Sequence, residues 1–381
     1  MYGLWRVAEK ELENVKKVFE YGFRSNFTIE LEERFSKLYG VDYAVAVNSG
    51  TSALHCALVA LGVTVGDEVI TTPLTFAASS MCASYVGAAP VFADVDPKTF
   101  NICPRSIEKN ITQRTKAIVV VSLYGQPAEL GEIYRIAKKH NIPVVEDNAQ
   151  CVLGYYRNRL VGSFCDIAVY SFQRSKHITS GDGGMLITNT EQFAEKARRF
   201  SCLGYSTLRA GSGAHAAKKE EIQHPSFSRH LSVGVNYRMP EVVAAILCAQ
   251  LDRVEDFVKL RRDIAAEYEE AVKGCSWVQP QLCPDHIRSS SFCFAFTIGE
   301  QKVTWDEFRE VFIGLGGAPF FGAWKLAYME PAYERHSGEG RCPVAEDLQP
   351  RMIQLKTNCQ TREIGREQAL ILKKTLDYWS D

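Results

Sequence analysis

Residues 167–189 hold the side chains whose types and spacing best suit chemistry. An apolar run, IAVYS, leads to Ser171, Lys176 follows five residues later, and the glycine-rich segment GDGG precedes a second apolar run. A lysine between two strands is usually a surface charge, but here a hydroxyl precedes it and glycines follow it. That arrangement suits an amine held near a phosphate and a bulky planar group. The pattern indicates a lysine that forms a Schiff base with pyridoxal phosphate (PLP) and then carries protons.

Two further polar side chains follow the apolar run IPVV. Asp147 and Gln150 lie where that strand is expected to end. A PLP enzyme needs a carboxylate at the pyridine nitrogen, because a protonated ring is the better electron sink. An amide three residues later could bond the phenolic oxygen of the ring or close a local turn. The alternative for this pair is an acid that caps the next turn.

Three other motifs have both a cofactor-binding and an ordinary structural interpretation. Thr51 and Ser52 lie at a predicted helix start, where backbone N–H groups bind phosphate or where a hydroxyl simply caps the helix. Phe76 follows a strand end and could stack on a cofactor, although an isolated phenylalanine is more often a core residue. Asn236 and Arg238 directly precede a long apolar helix. The consistent order of all these motifs favours one shared site.

The order and spacing of the motifs resemble a known family. SGTSAL, TFAA, VEDNAQ, SFQRSKHITSGDGG and GVNYRMPE are similar to segments of the DegT/StrS sugar aminotransferases, which are aspartate-aminotransferase-like (fold type I) PLP enzymes. The resemblance runs from LEERFSKLYG to CPVAEDL and covers nearly the whole chain.

The resemblance implies a role for each motif. Lys176 would carry the cofactor covalently, and Asp147 and Gln150 would hold the pyridine nitrogen and the ring oxygen. Arg238 would bind the carboxylate of the amino donor. The other implied PLP contacts are Thr51, Ser52 and Ser171 at the phosphate, Phe76 against the ring, and Asn236 at the phosphate of the neighbouring subunit in a homodimer with shared sites.

Apolar runs that alternate with helical stretches predict the fold. The runs YAVAV, EVITT, PVFAD, AIVVVSL, IPVVE, IAVYS and GMLIT are separated in several places by helical patterns. Such alternation is typical of an α/β protein with a mostly parallel sheet flanked by helices, here a seven-stranded one. Ligands bind beyond the carboxyl ends of such strands. We expect a large PLP-binding domain over residues 1–250, including an N-terminal helix, and a smaller α+β domain over residues 251–381.

Composition excludes several other classes of protein. The chain has 381 residues, 46% of them hydrophobic, and 44 basic against 45 acidic side chains give a net charge of −1. This balance does not point to nucleic acid or an acidic membrane, and no apolar run approaches the ~20 residues of a membrane span. The 12 cysteines show no CxxC spacing and the eight histidines are dispersed. We therefore expect free thiols, no metal, no signal peptide and a cytoplasmic location.

Two segments depart from a compact or family-like pattern. The polar stretch 205–233 is long enough to be a functional loop at the substrate entrance or a mobile surface loop. Its candidate diphosphate contacts are Lys218, Lys219, His224, Arg229 and His230. Near the C-terminus, the segment LAYMEPAY lacks a histidine that many relatives carry in an LHxxPxY-like sequence. This puts a histidine-mediated sugar contact, and with it the usual nucleotide-sugar substrate, in question.

These observations predict an aminotransferase that moves an amino group from glutamate to a keto-sugar. The acceptor could be a nucleotide-linked keto-sugar, a free keto-sugar or sugar acid, or a cyclic ketone; Gln173 and the TSGDGG ending resemble the aminocyclitol branch. One alternative is a PLP-dependent sugar dehydratase, in which histidine replaces the lysine. His177 is adjacent to Lys176, but the five-residue spacing from Ser171 falls on Lys176, which argues against a dehydratase. The others are an aminobenzoate-type enzyme and a non-catalytic PLP-binding regulator, for which no DNA-binding extension is visible.

Overall fold

The structure is a computed structural model that describes residues 6–214, 217–299, 301–336 and 341–379. In chain order, its strands are β1 Tyr43–Val47, β2 Glu68–Thr71, β3 Ala89–Phe92, β4 Thr115–Val121, β5 Val144–Asp147, β6 Tyr155–Tyr156, β7 Arg159–Leu160, β8 Ile167–Ser171, β9 Gly184–Thr188, β10 Val278–Pro280, β11 Ile287–Arg288, β12 Cys293–Ile298, β13 Phe321–Gly322 and β14 Met352–Lys356.

Helices precede, separate and follow these strands along the chain. They are α1 Glu9–Glu20, α2 Phe27–Tyr39, α3 Gly50–Ala60, α4 Ala78–Tyr85, α5 Pro104–Asn110, α6 Leu130–His140, α7 Glu191–Ser201, α8 Lys219–Gln223, α9 Glu241–Leu251, α10 Val254–Val272, α11 Trp305–Gly314, α12 Pro343–Leu348 and α13 Arg362–Asp377. Short 3-10 turns occur at Leu123–Gly125, Ala327–Met329, Pro331–His336 and Gln349–Arg351.

The large sheet has the order β1-β9-β8-β5-β4-β2-β3 in the described part of the chain. Strand β9 runs antiparallel to both of its neighbours, and the other pairs are parallel. Each of the seven predicted apolar runs forms one of these strands, so the predicted α/β fold with a mostly parallel seven-stranded sheet is confirmed.

Alternation along the strands builds a core on each face of the sheet. In β1, Ala44 and Ala46 pack with α2 and α9, whereas Val45 and Val47 pack with α3 and α7. In β4, Ala117 and Val119 belong to that second core, whereas Ile118 and Val120 pack against α6. Helices therefore cover both faces, and the edge at the carboxyl ends of the parallel strands is left for a site.

A smaller antiparallel sheet, with the order β10-β12-β14-β13, follows the large one in the chain. Its core includes α10, α11 and α13 through Ile264, Phe308 and Leu372. A three-stranded sheet of β11, β6 and β7 links the two parts of the chain. The predicted smaller α+β unit is thus present, while the boundary at residue 250 stays a prediction. None of the described helices is long and apolar enough to cross a membrane.

Candidate active site

A cavity of about 360 Å³ lies at the carboxyl ends of β1, β4, β5 and β8. The residues predicted from the sequence that line it are Thr51, Phe76, Asp147, Gln150, Ser171 and Lys176. These positions span more than a hundred residues of sequence and meet because parallel strands end at the same edge of the sheet.

Lys176 lies in the β8–β9 excursion, the loop of residues 172–183 that joins the two strands. The excursion is closed at its base, where Phe172 N–H donates to Gly183 O at 2.9 Å and Ser171 pairs with Gly184. The half-buried Lys176 amine lies 4.9 Å from the centre of the Phe292 ring. Burial lowers the pKa of Lys176 to about 8, although the Asp147 charge opposes this shift. About a tenth of the amine is therefore unprotonated at pH 7, far more than for an ordinary lysine, and can act as a nucleophile or base.

Asp147, the last residue of β5, is buried beneath the cavity. Its carboxylate accepts a hydrogen bond from the Ser79 hydroxyl at 2.7 Å and another from Ala149 N–H at 3.1 Å. Burial raises the pKa of Asp147, and the Ser79 and Ala149 hydrogen bonds and the Lys176 charge oppose that rise. Sequence reasoning missed Ser79, because a serine within a run of small helical residues has no signal that aims it at a carboxylate.

Gln150 is oriented by the backbone. Its side-chain oxygen accepts the N–H of Tyr124 at 2.8 Å, so the amide NH₂ is the group that can face the cavity. An NH₂ group can donate to a phenolate oxygen of a bound ring. This orientation suits the predicted role of Gln150 better than a purely local turn does.

The other end of the cavity is the first turn of α3. Ser49 caps this helix by accepting Ser52 N–H at 3.1 Å, and the Ser52 hydroxyl donates to Asn48 at 2.6 Å. A Cβ on Gly50 would lie 2.8 Å from Ser171 Cβ, so glycine is what lets the helix start approach the end of β8. The Thr51 and Ser171 side chains join this helix start in the cavity wall, and together they form an anion cradle.

Two aromatic rings form the outer wall of the cavity. Phe76 and Trp324 are 54% and 43% exposed, and their ring centres are 5.6 Å apart in an edge-on arrangement. Trp324 was not predicted, since it lies far along the chain beside a short strand, and nothing local relates it to Phe76. Exposed aromatic faces at a cavity mouth can pack against the C–H face of a ligand.

Asn236 and Arg238 do not line this cavity. The Arg238 backbone bridges to Val47 of β1 and the Asn236 backbone to Cys202, and both side chains are exposed. Arg238 Nη1 donates to Cys202 Sγ at 3.4 Å. Within one chain, these two predicted ligands are therefore separate from the Lys176 cavity.

The candidate diphosphate contacts of the 205–233 segment also lie away from the cavity. Arg229 donates to Ile222 O at 3.0 Å, and His230 bonds Leu203 O at 2.7 Å. Lys218 and His224 are exposed. The side chain of Lys219 lies outside the described residues.

No metal cluster is found among the described residues, and every cysteine there is free. Six thiols are half-buried or exposed, and the six buried ones are those of Cys56, Cys82, Cys151, Cys165, Cys248 and Cys342.

The fold and the cavity together define a class. A lysine amine, a buried carboxylate, a cradle for an anion and an aromatic ring fit the aldehyde, pyridine nitrogen, phosphate and ring face of PLP. This is the chemistry of a fold type I PLP enzyme. The chain belongs to the DegT/DnrJ/EryC1/StrS aminotransferase family, whose sequence pattern matches residues 6–366. It is therefore a PLP-dependent aminotransferase with an amino donor and a sugar acceptor.

Known relatives support this assignment along the chain. GDP-perosamine synthase of Caulobacter vibrioides is 41% identical over 244 residues, which cover 64% of this chain and 61% of that protein. GDP-perosamine synthase of Escherichia coli O157:H7 is 37% identical over 94% of this chain and 92% of that protein. The solved aminotransferase from Psychrobacter cryohalolentis is 29% identical, with a TM-score of 0.89 and coverage of 98% of each chain.

Proposed function

We propose that the enzyme transfers the amino group of glutamate to a GDP-linked keto-sugar, and that Lys176 is the residue that carries the cofactor and moves the proton. The observation that carries this proposal is the meeting of Lys176 and Asp147 in one cavity at the carboxyl ends of the strands. The substrate is inferred from the two GDP-perosamine synthases that the chain resembles. Glutamate is inferred from the usual donor of the family.

PLP, when bound, supplies an aldehyde for the amino group and a ring that withdraws electrons. Asp147 would support that withdrawal with its negative charge. The free Lys176 amine would take a proton from the donor's α-carbon and return it later. The α3 start, Thr51 and Ser171 would hold the phosphate, and Phe76 would limit movement of the ring.

The alternatives weighed from the sequence are less well supported. A dehydratase of this family would use a histidine at the lysine position. His177 is buried away from the cavity, where its Nε2 atom lies 3.1 Å from Ser290 O, and Lys176 occupies the cavity wall. A complete set of catalytic groups disfavours a non-catalytic regulator. Gln173, which resembles the aminocyclitol branch, lines the cavity, but its side-chain oxygen accepts hydrogen bonds from Ser175, so it gives an aminocyclitol or aminobenzoate-type reaction no specific support.

The segment LAYMEPAY gives no sugar contact of the kind that the missing histidine provides in relatives. Leu326, Tyr328 and Tyr333 are buried, and Ala327 N–H donates to Pro73 O at 3.1 Å. Trp324, two residues before this segment, is the side chain that reaches the cavity. We therefore assign to Trp324 the contact with the acceptor that a histidine makes elsewhere.

A homodimer with shared sites is part of the proposal. The exposed positions of Asn236 and Arg238 support it, because these residues do not reach the cavity of their own chain. Leu231 and Val233, just before them, are 60% and 94% exposed, as expected for side chains that a partner covers. The neighbouring contacts Arg229 and His230 would then serve the acceptor in the partner's cavity. The cytoplasmic location stays a prediction.

Two measurements test the proposal. Borohydride reduction of the PLP-loaded protein followed by peptide mapping should find the pyridoxyl group on Lys176, and a label on another lysine would refute the assignment. The pyridoxamine form should then be offered GDP-, UDP- and dTDP-linked keto-sugars. Recovery of the PLP spectrum should be fastest with the GDP-linked compound; equal or faster recovery with another nucleotide or a free keto-sugar contradicts the GDP assignment alone.

A further inference from the structure

Two buried guanidinium groups converge on the backbone of the turn that carries Lys176. Arg261 of α10 donates to Lys176 O and Ser175 O, both at 3.1 Å. Arg6, from the beginning of the chain, donates to Lys176 O and His177 O, both at 2.6 Å. The carbonyl oxygen of Lys176 thus accepts hydrogen bonds from two cations.

The pair is costly to bury, so its presence calls for an explanation. Arg6 and Arg261 are each only 3% exposed. Burial lowers the pKa of Arg261, and the nearby Arg6 charge lowers it further. Two like charges placed together in the interior lose hydration and repel each other. Structural hydrogen bonds alone could be supplied by neutral side chains at lower cost.

The two arginines also connect the turn to other parts of the site. Arg261 Nη1 donates to Phe292 O at 2.8 Å, and Phe292 is the ring beneath the Lys176 amine. Gln250 of α9 donates to Arg6 O at 2.6 Å and to Glu11 of α1 at 2.5 Å. The lysine turn, the ring below the amine and the N-terminal helix are therefore tied into one network.

We propose that Arg261 and Arg6 are positioning residues for Lys176, which hold its turn from two distant segments of the chain, and that Arg261 also places positive charge near its amine. The proposal rests on the proposed role of Lys176. Charged and titratable groups near the amine are Asp147, Arg261 and Cys293. The cation of Arg261 favours the neutral, nucleophilic amine and so offsets part of the larger, opposing effect of Asp147.

The test uses the full-length apoprotein and PLP, without any sugar. The rate at which PLP becomes covalently attached is followed by absorbance as a function of pH. In the wild type, the rate should rise with the deprotonation of Lys176, around its pKa of about 8. In Arg261→Met, the apparent pKa should rise by about 1 unit, which slows attachment about tenfold on the acid side. Arg261→Lys keeps the charge and should restore the pKa, but with a lower maximal rate because the two-pronged contact is lost.

Arg262→Met is the matched control. Arg262 is the next residue of α10, and it too donates to two backbone carbonyls, those of Ser289 and Leu153, both at 2.6 Å. Neither carbonyl belongs to the lysine turn, so this variant should lose comparable stability and keep the wild-type pH profile.

The outcomes separate the inference from the proposed function. A pyridoxyl label on a lysine other than Lys176 removes the basis of both. A label on Lys176, together with a pH profile and maximal rate of Arg261→Met that match those of Arg262→Met, overturns the positioning role alone. If Arg261→Met does not fold, Arg261→Lys and Arg6→Met decide the question. Each should show a reduced maximal rate, and unchanged maximal rates in both also overturn it.

Discussion

Replacement of Ser79 by alanine should change the ionisation of Asp147, whose carboxylate Ser79 holds at the cavity wall. The Ser79 hydroxyl donates to the Asp147 carboxylate at 2.7 Å, and the two residues are 1% and 4% exposed. In such a buried place, bulk water does not replace the lost donor. The charged form of Asp147 therefore loses stabilisation that its neutral form does not need.

The size of this effect follows from the hydrogen bond. A hydrogen bond to a charged group contributes about 1.5–3 kcal/mol, and one pKa unit corresponds to about 1.4 kcal/mol. The pKa of Asp147, already raised by burial, should rise by a further ~1–2 units in Ser79→Ala. The sign is upward because the lost bond favoured the ionised carboxylate.

The assay is PLP affinity as a function of pH. The ionised Asp147 carboxylate stabilises the protonated ring, so affinity falls as Asp147 becomes protonated. The affinity of Ser79→Ala should begin to fall at a pH ~1–2 units higher than that of the wild type, and it should match the wild type on the alkaline side. Ser80→Ala is the control, because Ser80 is equally buried but bonds Ala77 O and Tyr333 instead. Overlapping affinity curves for the two folded variants would refute the reasoning.

Three further predictions concern the proposed reaction. Asp147→Asn should lose most turnover and show a smaller loss of cofactor affinity, since the phosphate contacts remain; near-normal turnover would show that another group keeps the ring protonated. Trp324→Ala should raise the KM for the acceptor about tenfold and leave the half-reaction with glutamate unchanged, and equal effects on both half-reactions would contradict an acceptor contact. When Lys176→Ala chains are mixed with an inactive Asn236→Ala/Arg238→Ala double variant, heterodimers should regain activity, because one of their sites carries neither defect. Proven subunit exchange without recovery would mean that each chain completes its own site.

Local patterns were enough to predict the large sheet and most of the cavity. The seven apolar runs are short, rich in β-branched residues and separated in several places by helical stretches, so each identified its strand. The carboxyl-end rule for parallel sheets then predicted that Asp147 and the helix start at Thr51 lie at the same edge of the sheet. The family resemblance added the role of each residue.

Contacts between distant segments could not be predicted in this way. Ser79 below Asp147 and Trp324 beside Phe76 depend on tertiary packing, and neither residue stands out in its own segment. Ser52 was expected at the phosphate, yet its hydroxyl donates to Asn48 and the side chain is not in the cavity wall. A hydroxyl at a helix start can cap the helix or bind a phosphate. Which of the two it does depends on neighbouring side chains that the sequence pattern does not show.

The β8–β9 excursion has a consequence for the order in which the protein matures. Its ends are paired locally, through Phe172 and Gly183, so this hairpin needs little loop closure and can form early during synthesis. The two arginines that hold its turn come from 170 residues before Lys176 and 85 residues after it. A nascent chain that has not yet extended past Arg261 therefore has the lysine but lacks its complete support. Rapid covalent capture of PLP should then mark a chain whose distant segments have already assembled, which couples cofactor loading to the completion of folding.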